Sequence, residues 1–127
     1  MSIKTITTDH APAAIGPYSQ AVTTGSLLFT SGQLPIDPIL GKIPEGSIED
    51  HAHLALRNLE AIAKEAGTSL DKAIKVTVFL QNMVDFQAVN SIYSEYFKEP
   101  FPARSAFQVA ALPLDANIEI EAVFSLE

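Results

Sequence analysis

The chain has 127 residues, 47% of them hydrophobic, and sets eight Lys and Arg against fifteen Asp and Glu for a formal charge of -7. That apolar share is too high for a disordered polymer and the length suits one core, so a single domain over residues 1–127 is expected. The acidic balance repels phosphate backbones and disfavours nucleic acid as a partner, while the lack of cysteine removes disulfides, thiolate nucleophiles and Cys-ligated zinc.

No run of about 18 apolar residues is present, and Met1–Thr5 lacks the charged-then-apolar plan of a secretory signal. A soluble, cytoplasmic protein with no membrane partner is expected. In chain order, Leu27–Ser31 is a short apolar run between Gly25 and Gly32, the length and flanks of a buried strand. Leu34–Gly46 holds Pro35, Pro38 and Pro44 and reads as an ordered surface loop ending at Ser47, a candidate N-cap. Asp50 stands three residues later, and Leu56, Leu59, Ile62, Ala63 and Ala66 recur at helical spacing up to Gly67.

Ile74, Val76, Val78 and Leu80 then alternate with Lys75, Thr77, Phe79 and Gln81, which predicts a strand with one apolar face. A second helix follows, with Phe86, Val89, Ile92, Tyr93, Tyr96 and Phe97 on its apolar side, Asp85 as its candidate cap, and Pro100 and Pro102 beyond its end. Arg104–Ala110 and Asn117–Leu126 are the last strands, joined through Leu112–Ala116. Two amphipathic helices cover one face of such a sheet, which predicts an α+β layer architecture. The other face carries Glu119, Glu121, Val123 and Ser125, a mixture that suits a wet cavity, an interface or solvent.

Arg104 is one of two arginines in the chain. A guanidinium grips a carboxylate through two parallel hydrogen bonds, and a nearby Glu119 would handle water, so the pair reads as a small-acid site; the competing reading of Arg104 is a surface residue paired with an acid. Glu119 and Glu121 share one strand face, with Glu121 read as scaffold. Tyr18, after Gly16-Pro17, reads as a packing anchor or a site residue, and Asn90 as a structural hydrogen-bonder or a cleft residue. His51 and His53 point to different sides of a helix, which argues against a metal site.

Several separated blocks, Ala11–Ala21, Thr30-Ser31-Gly32-Gln33, Asp85-Phe86 with Val89-Asn90, Pro102-Ala103-Arg104-Ser105, Gln108–Pro113 and Ile118-Glu119-Ile120-Glu121-Ala122, together resemble the RidA/YjgF family. The resemblance runs from about residue 10 to the end. It implies a chorismate-mutase-like α+β subunit, a mixed sheet with two helices on one face, assembling as a homotrimeric barrel with active sites between subunits. It implies hydrolysis of reactive enamines and imines such as 2-aminoacrylate to a 2-oxo acid and ammonia, as a 2-iminobutanoate/2-iminopropanoate deaminase, with no metal or organic cofactor.

Carried over by motif, Arg104 would hold the substrate carboxylate and Glu119 would position or deprotonate water. Tyr18 and Ser31 would line the pocket, Gly32 and Ala106 would offer backbone groups, and Asn90 would approach from the second helix. Many bacterial relatives have cysteine where this chain has Ala106, so functions of that thiol are absent here. Phe86, Phe107 and Pro113 are candidate cleft walls, and the connection Lys98–Phe101 is short compared with some relatives. Two other activities are open: endoribonuclease action on single-stranded RNA, and non-catalytic binding of 2-oxo acids for regulation.

Overall fold

A computed structural model describes residues 2–127. Its elements are β1 (Lys4–Ile6), β2 (Ala21–Thr24), β3 (Leu27–Thr30), α1 (Ile48–Glu65), β4 (Ala73–Leu80), α2 (Phe86–Tyr96), β5 (Ala103–Gln108) and β6 (Ile118–Ser125), with short 3-10 turns at Leu70–Lys72, Met83–Asp85 and Pro113–Asp115. The strands form one six-stranded sheet in the order β1-β2-β3-β6-β4-β5. Only β4 and β5 run parallel, joined by the crossover helix α2 that a parallel pair requires. The expected α+β architecture, a mixed sheet with two helices on one face, is the fold observed.

Helix α1 starts and stops where its sequence dictates. Ser47 Oγ accepts from the Asp50 amide at 3.1 Å and Asp50 Oδ2 accepts from the Ser47 amide at 3.1 Å, a reciprocal capping box. At the other end Gly67 adopts φ 87°, and the Gly67 and Thr68 amides donate to the Lys64 and Ala63 carbonyls, closing a Schellman turn that strains any residue with a Cβ. Asp85 does not cap α2. The chain enters this helix through the 3-10 turn, so Asp85 already has helical backbone angles, and Asn82 caps instead by accepting from the Val84 amide.

The core lies between the sheet and the helices. Val76, Val78 and Leu80 of β4, Ile118, Ile120, Ala122 and Phe124 of β6, and Leu28 of β3 are buried against Leu56, Leu59, Ile62 and Ala63 of α1 and Val89, Ile92 and Tyr93 of α2. Ile74 departs from the expected alternation and is exposed, because the β4–β6 register shifts between Ala73 and Lys75 and turns that residue out of the apolar face. Alternation puts Thr77, Phe79, Phe107, Glu119, Glu121 and Val123 on the opposite, helix-free face. That face is half-buried to exposed, with Phe79 and Phe107 packed edge-on at 5.3 Å between ring centroids.

Candidate functional site

The register of β5 against β4 places Arg104 opposite Val76 and Ala106 opposite Val78, so both project to the helix-covered side. There α2 receives Arg104: its Nη1 donates to Asn90 Oδ1 at 2.6 Å, and its Cζ lies 4.7 Å from the Tyr93 ring centroid and 5.5 Å from that of Phe86. Stacking and one charge-assisted hydrogen bond fix the plane of the guanidinium and leave its other donors open. Among the described residues, no carboxylate lies within ion-pair distance of Arg104. A cavity of about 420 Å³ opens here, lined by Asn90, Tyr93, Ser94, Phe101, Pro102 and Arg104. Burial pushes the Tyr93 phenol above its ordinary pKa, against the opposing pull of Arg104, and its hydroxyl has no hydrogen-bond partner among the described residues.

Glu119 projects from β6 to the other face, opposite Phe79 of β4. The strand β3 ends at Thr30, and Ser31-Gly32-Gln33 then runs beside β6, held by the Gln33 amide donating to the Ile120 carbonyl at 2.7 Å and the Ile120 amide returning to the Gln33 carbonyl at 3.1 Å. This brings Gly32 onto Glu119: a Cβ at position 32 would overlap the carboxylate, lying 2.7 Å from Cδ and 2.9 Å from Cγ. The absent side chain at 32 is the room that Glu119 occupies. Burial, and then the like charge of Glu121, raise the Glu119 carboxyl above the usual carboxylate pKa.

Tyr18, Ser31, Gly32 and Glu119 share a second cavity of about 550 Å³. The Ser31 hydroxyl is already engaged, donating to the Ser19 carbonyl at 2.6 Å. The Tyr18 hydroxyl accepts weakly from the Ile15 amide at 3.4 Å, and the residue is 52% exposed. Gln20 builds this wall. Its buried amide accepts from the Thr8 amide and donates to the carbonyls of Thr8 and Pro12, pinning the N-terminal segment over the sheet.

The seven residues singled out in the sequence thus fall into two groups. Tyr18, Ser31, Gly32 and Glu119 meet; Asn90 and Arg104 meet, with Ala106 beside them on the edge strand β5. The sheet lies between the groups. Of the suggested cleft walls, Phe86 packs on Arg104 and Pro113 lines the Glu119 cavity, whereas Phe107 sits on the open face against Phe79. The stacking role of Tyr93 and the anchoring role of Gln20 were not read from the sequence. Tyr93 at helical spacing looks only like core, and a lone glutamine carries no periodic signal.

His51 is buried, with Nε2 on the Pro44 carbonyl at 2.7 Å and Nδ1 facing the Asn117 side chain, and His53 Nδ1 meets the Tyr96 hydroxyl at 2.8 Å. Both rings therefore serve packing. Among the described residues no helix is long and apolar enough to cross a membrane.

Comparison with known proteins adds the family. The Endoribonuclease L-PSP family matches residues 8–125. A human 2-iminobutanoate/2-iminopropanoate deaminase is 48% identical over 120 residues, covering 94% of this chain and 88% of that protein. The crystal structure of E. coli TdcF with bound serine superposes with a TM-score of 0.91 at 44% identity, covering 96% of this chain and 98% of the other. RidA from an Antarctic Psychrobacter superposes with a TM-score of 0.92 at 43% identity, over 96% of this chain and 98% of the other. Sequence blocks, fold and relatives agree, and the chain belongs to the RidA/YjgF family, described as Endoribonuclease L-PSP.

Proposed function

We propose that the protein is an enamine/imine deaminase that converts small 2-imino acids, including the product of 2-aminoacrylate tautomerisation, to 2-oxo acids and ammonia. The observation that carries this reading is Arg104, oriented by Asn90 and Tyr93 and free of any carboxylate partner among the described residues. Such a group is prepared to take a substrate carboxylate in a bidentate pair. The human relative's name and the serine bound in TdcF, a small amino acid, support the same substrate class.

In the proposed reaction Arg104 holds the carboxylate and so fixes the adjacent C=N carbon. Glu119 takes a proton from water as the water oxygen bonds to that carbon and the C=N π pair moves to nitrogen, and Glu119 passes this proton to the nitrogen to give a carbinolamine. Glu119 then takes the carbinolamine hydroxyl proton and delivers it to the nitrogen, the C–N bond breaks, and ammonia leaves as the carbonyl forms. Burial suits Glu119 to this exchange, because its raised proton affinity makes it a better base than an ordinary surface carboxylate. Tyr18 and Ser31 would line the pocket, and the backbones of Gly32 and Ala106 would bind the ligand.

Arg104 and Glu119 face opposite sides of one sheet, so a substrate touching both requires a second copy of the chain. The proposal therefore includes a homotrimer in which Arg104 of one subunit meets the Glu119 cavity of its neighbour. Endoribonuclease action, named in the family's description, gains no support from a chain of formal charge -7.

The test generates 2-aminoacrylate with a dehydratase and follows pyruvate release. Arg104→Ala should lose nearly all acceleration and Glu119→Ala much of it, with both variants folded. Unchanged rates in both would sink the mechanism, and ligand binding without acceleration would point to a regulatory binder.

A further inference from the structure

Glu121 stands beside Glu119 and has no part in the chemistry proposed so far. Alternation along β6 puts both glutamates on the helix-free face, two residues apart in one strand and about 7 Å apart by strand rise. Both are half-buried, and among the described residues neither carboxylate forms an ion pair. A glutamate that served only as scaffold there would carry the costs of desolvation and of a like charge nearby, which Gln or Leu would avoid. The spacing belongs to a single strand, so assembly with a second subunit does not alter it.

The surroundings leave the charge of Glu121 uncompensated. On β4, Thr77 stands opposite Glu121 and Phe79 opposite Glu119, and neither is charged. Lys75 lies further along β4 on the same face, but its Nζ donates to Ser105 Oγ at 2.8 Å, toward β5 and away from β6. Among the residues lining the Glu119 cavity the other titratable side chain is Tyr18, and Asp115 in the neighbouring turn is exposed outside it. In the proposed assembly the neighbour's Arg104 is the opposing cation, and a bound substrate carboxylate neutralises it. The charge of Glu121 is still there when Glu119 must take a proton. A separation within the Debye length of about 8 Å keeps the two carboxylates coupled in physiological salt.

We propose that Glu121 is a positioning residue for deamination, a fixed negative charge that acts through Glu119 and sets its strength as the base. This rests on the deaminase reading and adds how the base of that site is tuned. The raised proton affinity of Glu119, caused first by burial and then by Glu121, has the same sense. Without the charge, Glu119 would hold a proton less tightly, which makes it a weaker base but keeps it ionised further into acid.

Two measurements on the intact protein test this. Carboxyl-carbon NMR titrates Glu119 without turnover, its signal being identified by its loss in Glu119→Gln. Glu121→Gln and Glu121→Leu should each move the midpoint to lower pH, whereas Glu121→Asp, which keeps a charge on that face, should not. In the pyruvate-release assay, with dehydratase in excess at every pH, both charge-removing variants should lose about two- to fivefold in kcat/KM at the alkaline plateau. That deficit should vanish or reverse as pH falls through the acid limb. A deficit of constant size at every pH, or an unmoved Glu119 midpoint in both variants, overturns the role of Glu121. Failure of wild type to accelerate deamination sinks the deaminase reading itself, whereas acceleration with an unmoved midpoint sinks only the tuning.

Discussion

Arg104 leaves β5 on the face covered by α2, and Glu119 leaves β6 on the face that no helix covers, so the sheet separates the two side chains proposed to share one substrate. The separation follows from period-2 alternation and register. Arg104 aligns with Val76 and Val76 with Ala122, both turned to the core, while Glu119 aligns with the outward Phe79. A change of rotamer cannot carry either group through a sheet.

Subunit mixing tests the consequence. Arg104→Ala and Glu119→Gln chains, each nearly inactive alone, should regain activity when unfolded together and refolded, because some interfaces join an intact Arg104 to an intact Glu119. Random pairing at head-to-tail interfaces makes that about a quarter of the sites. Absence of any rescue, with mixed oligomers shown by native mass spectrometry, would reject shared sites.

Gly32→Ala should displace the Glu119 carboxylate, since the added Cβ overlaps it. Activity is expected to fall about 10²-fold, the order of effect of losing a positioned base, while stability changes by less than about 1 kcal/mol because the far end of a flexible side chain can move. In a double-mutant cycle Gly32→Ala should add little to Glu119→Ala. Additive losses would show that Gly32 acts independently of Glu119.

Glu119→Gln should lower deamination by about 10²- to 10⁴-fold and raise thermal stability at pH 7. Folding raises the proton affinity of this carboxyl, so the native state is favoured by protonation, and that advantage is lost as pH rises through the folded pKa. The Gln side chain escapes the penalty. Melting curves should therefore separate at neutral pH and converge below the ordinary Glu value of 4.5; a difference that does not depend on pH would contradict the cause given.

Arg104→Lys should recover little activity despite keeping the charge. Lysine has no planar group to stack on Tyr93 and cannot form a forked pair with a carboxylate. A loss of about 10-fold or more in kcat/KM is expected, and Asn90→Ala, which removes one hydrogen bond to a charged group worth about 1.5–3 kcal/mol, should lose roughly 10- to 100-fold. Near-wild-type kinetics for Arg104→Lys would mean that charge alone suffices.

Ser47→Ala removes one half of the α1 capping box. A cost of about 1 kcal/mol, read as a Tm lower by about 3–6 °C, is expected without an effect on kcat/KM. A drop in activity at unchanged Tm would show that α1 has a role beyond support.

Local signals made much of the fold legible. Ser47 with Asp50, the 3.6-residue spacing of Leu56, Leu59 and Ile62, and the alternation of Val76, Val78 and Leu80 each express short-range physics, and each appears in the fold. Where a long-range partner intervened, the local reading failed. Ile74 was turned out by a register shift against β6, and Asp85 lost its capping role to Asn82 through a preceding turn.

For the site, the residue chemistry of Arg104, Glu119 and Asn90 could be named from the chain, as could the blocks that tie it to its family. The fit of Gly32 to Glu119, the stacking of Arg104 on Tyr93 and the pinning of the N-terminal segment by Gln20 could not. Hydrophobic period and capping act between neighbours and are written in order along the chain. Which side chains meet is set by strand register and by contacts between segments far apart in sequence, so the opposed faces of Arg104 and Glu119 became visible only in the folded sheet.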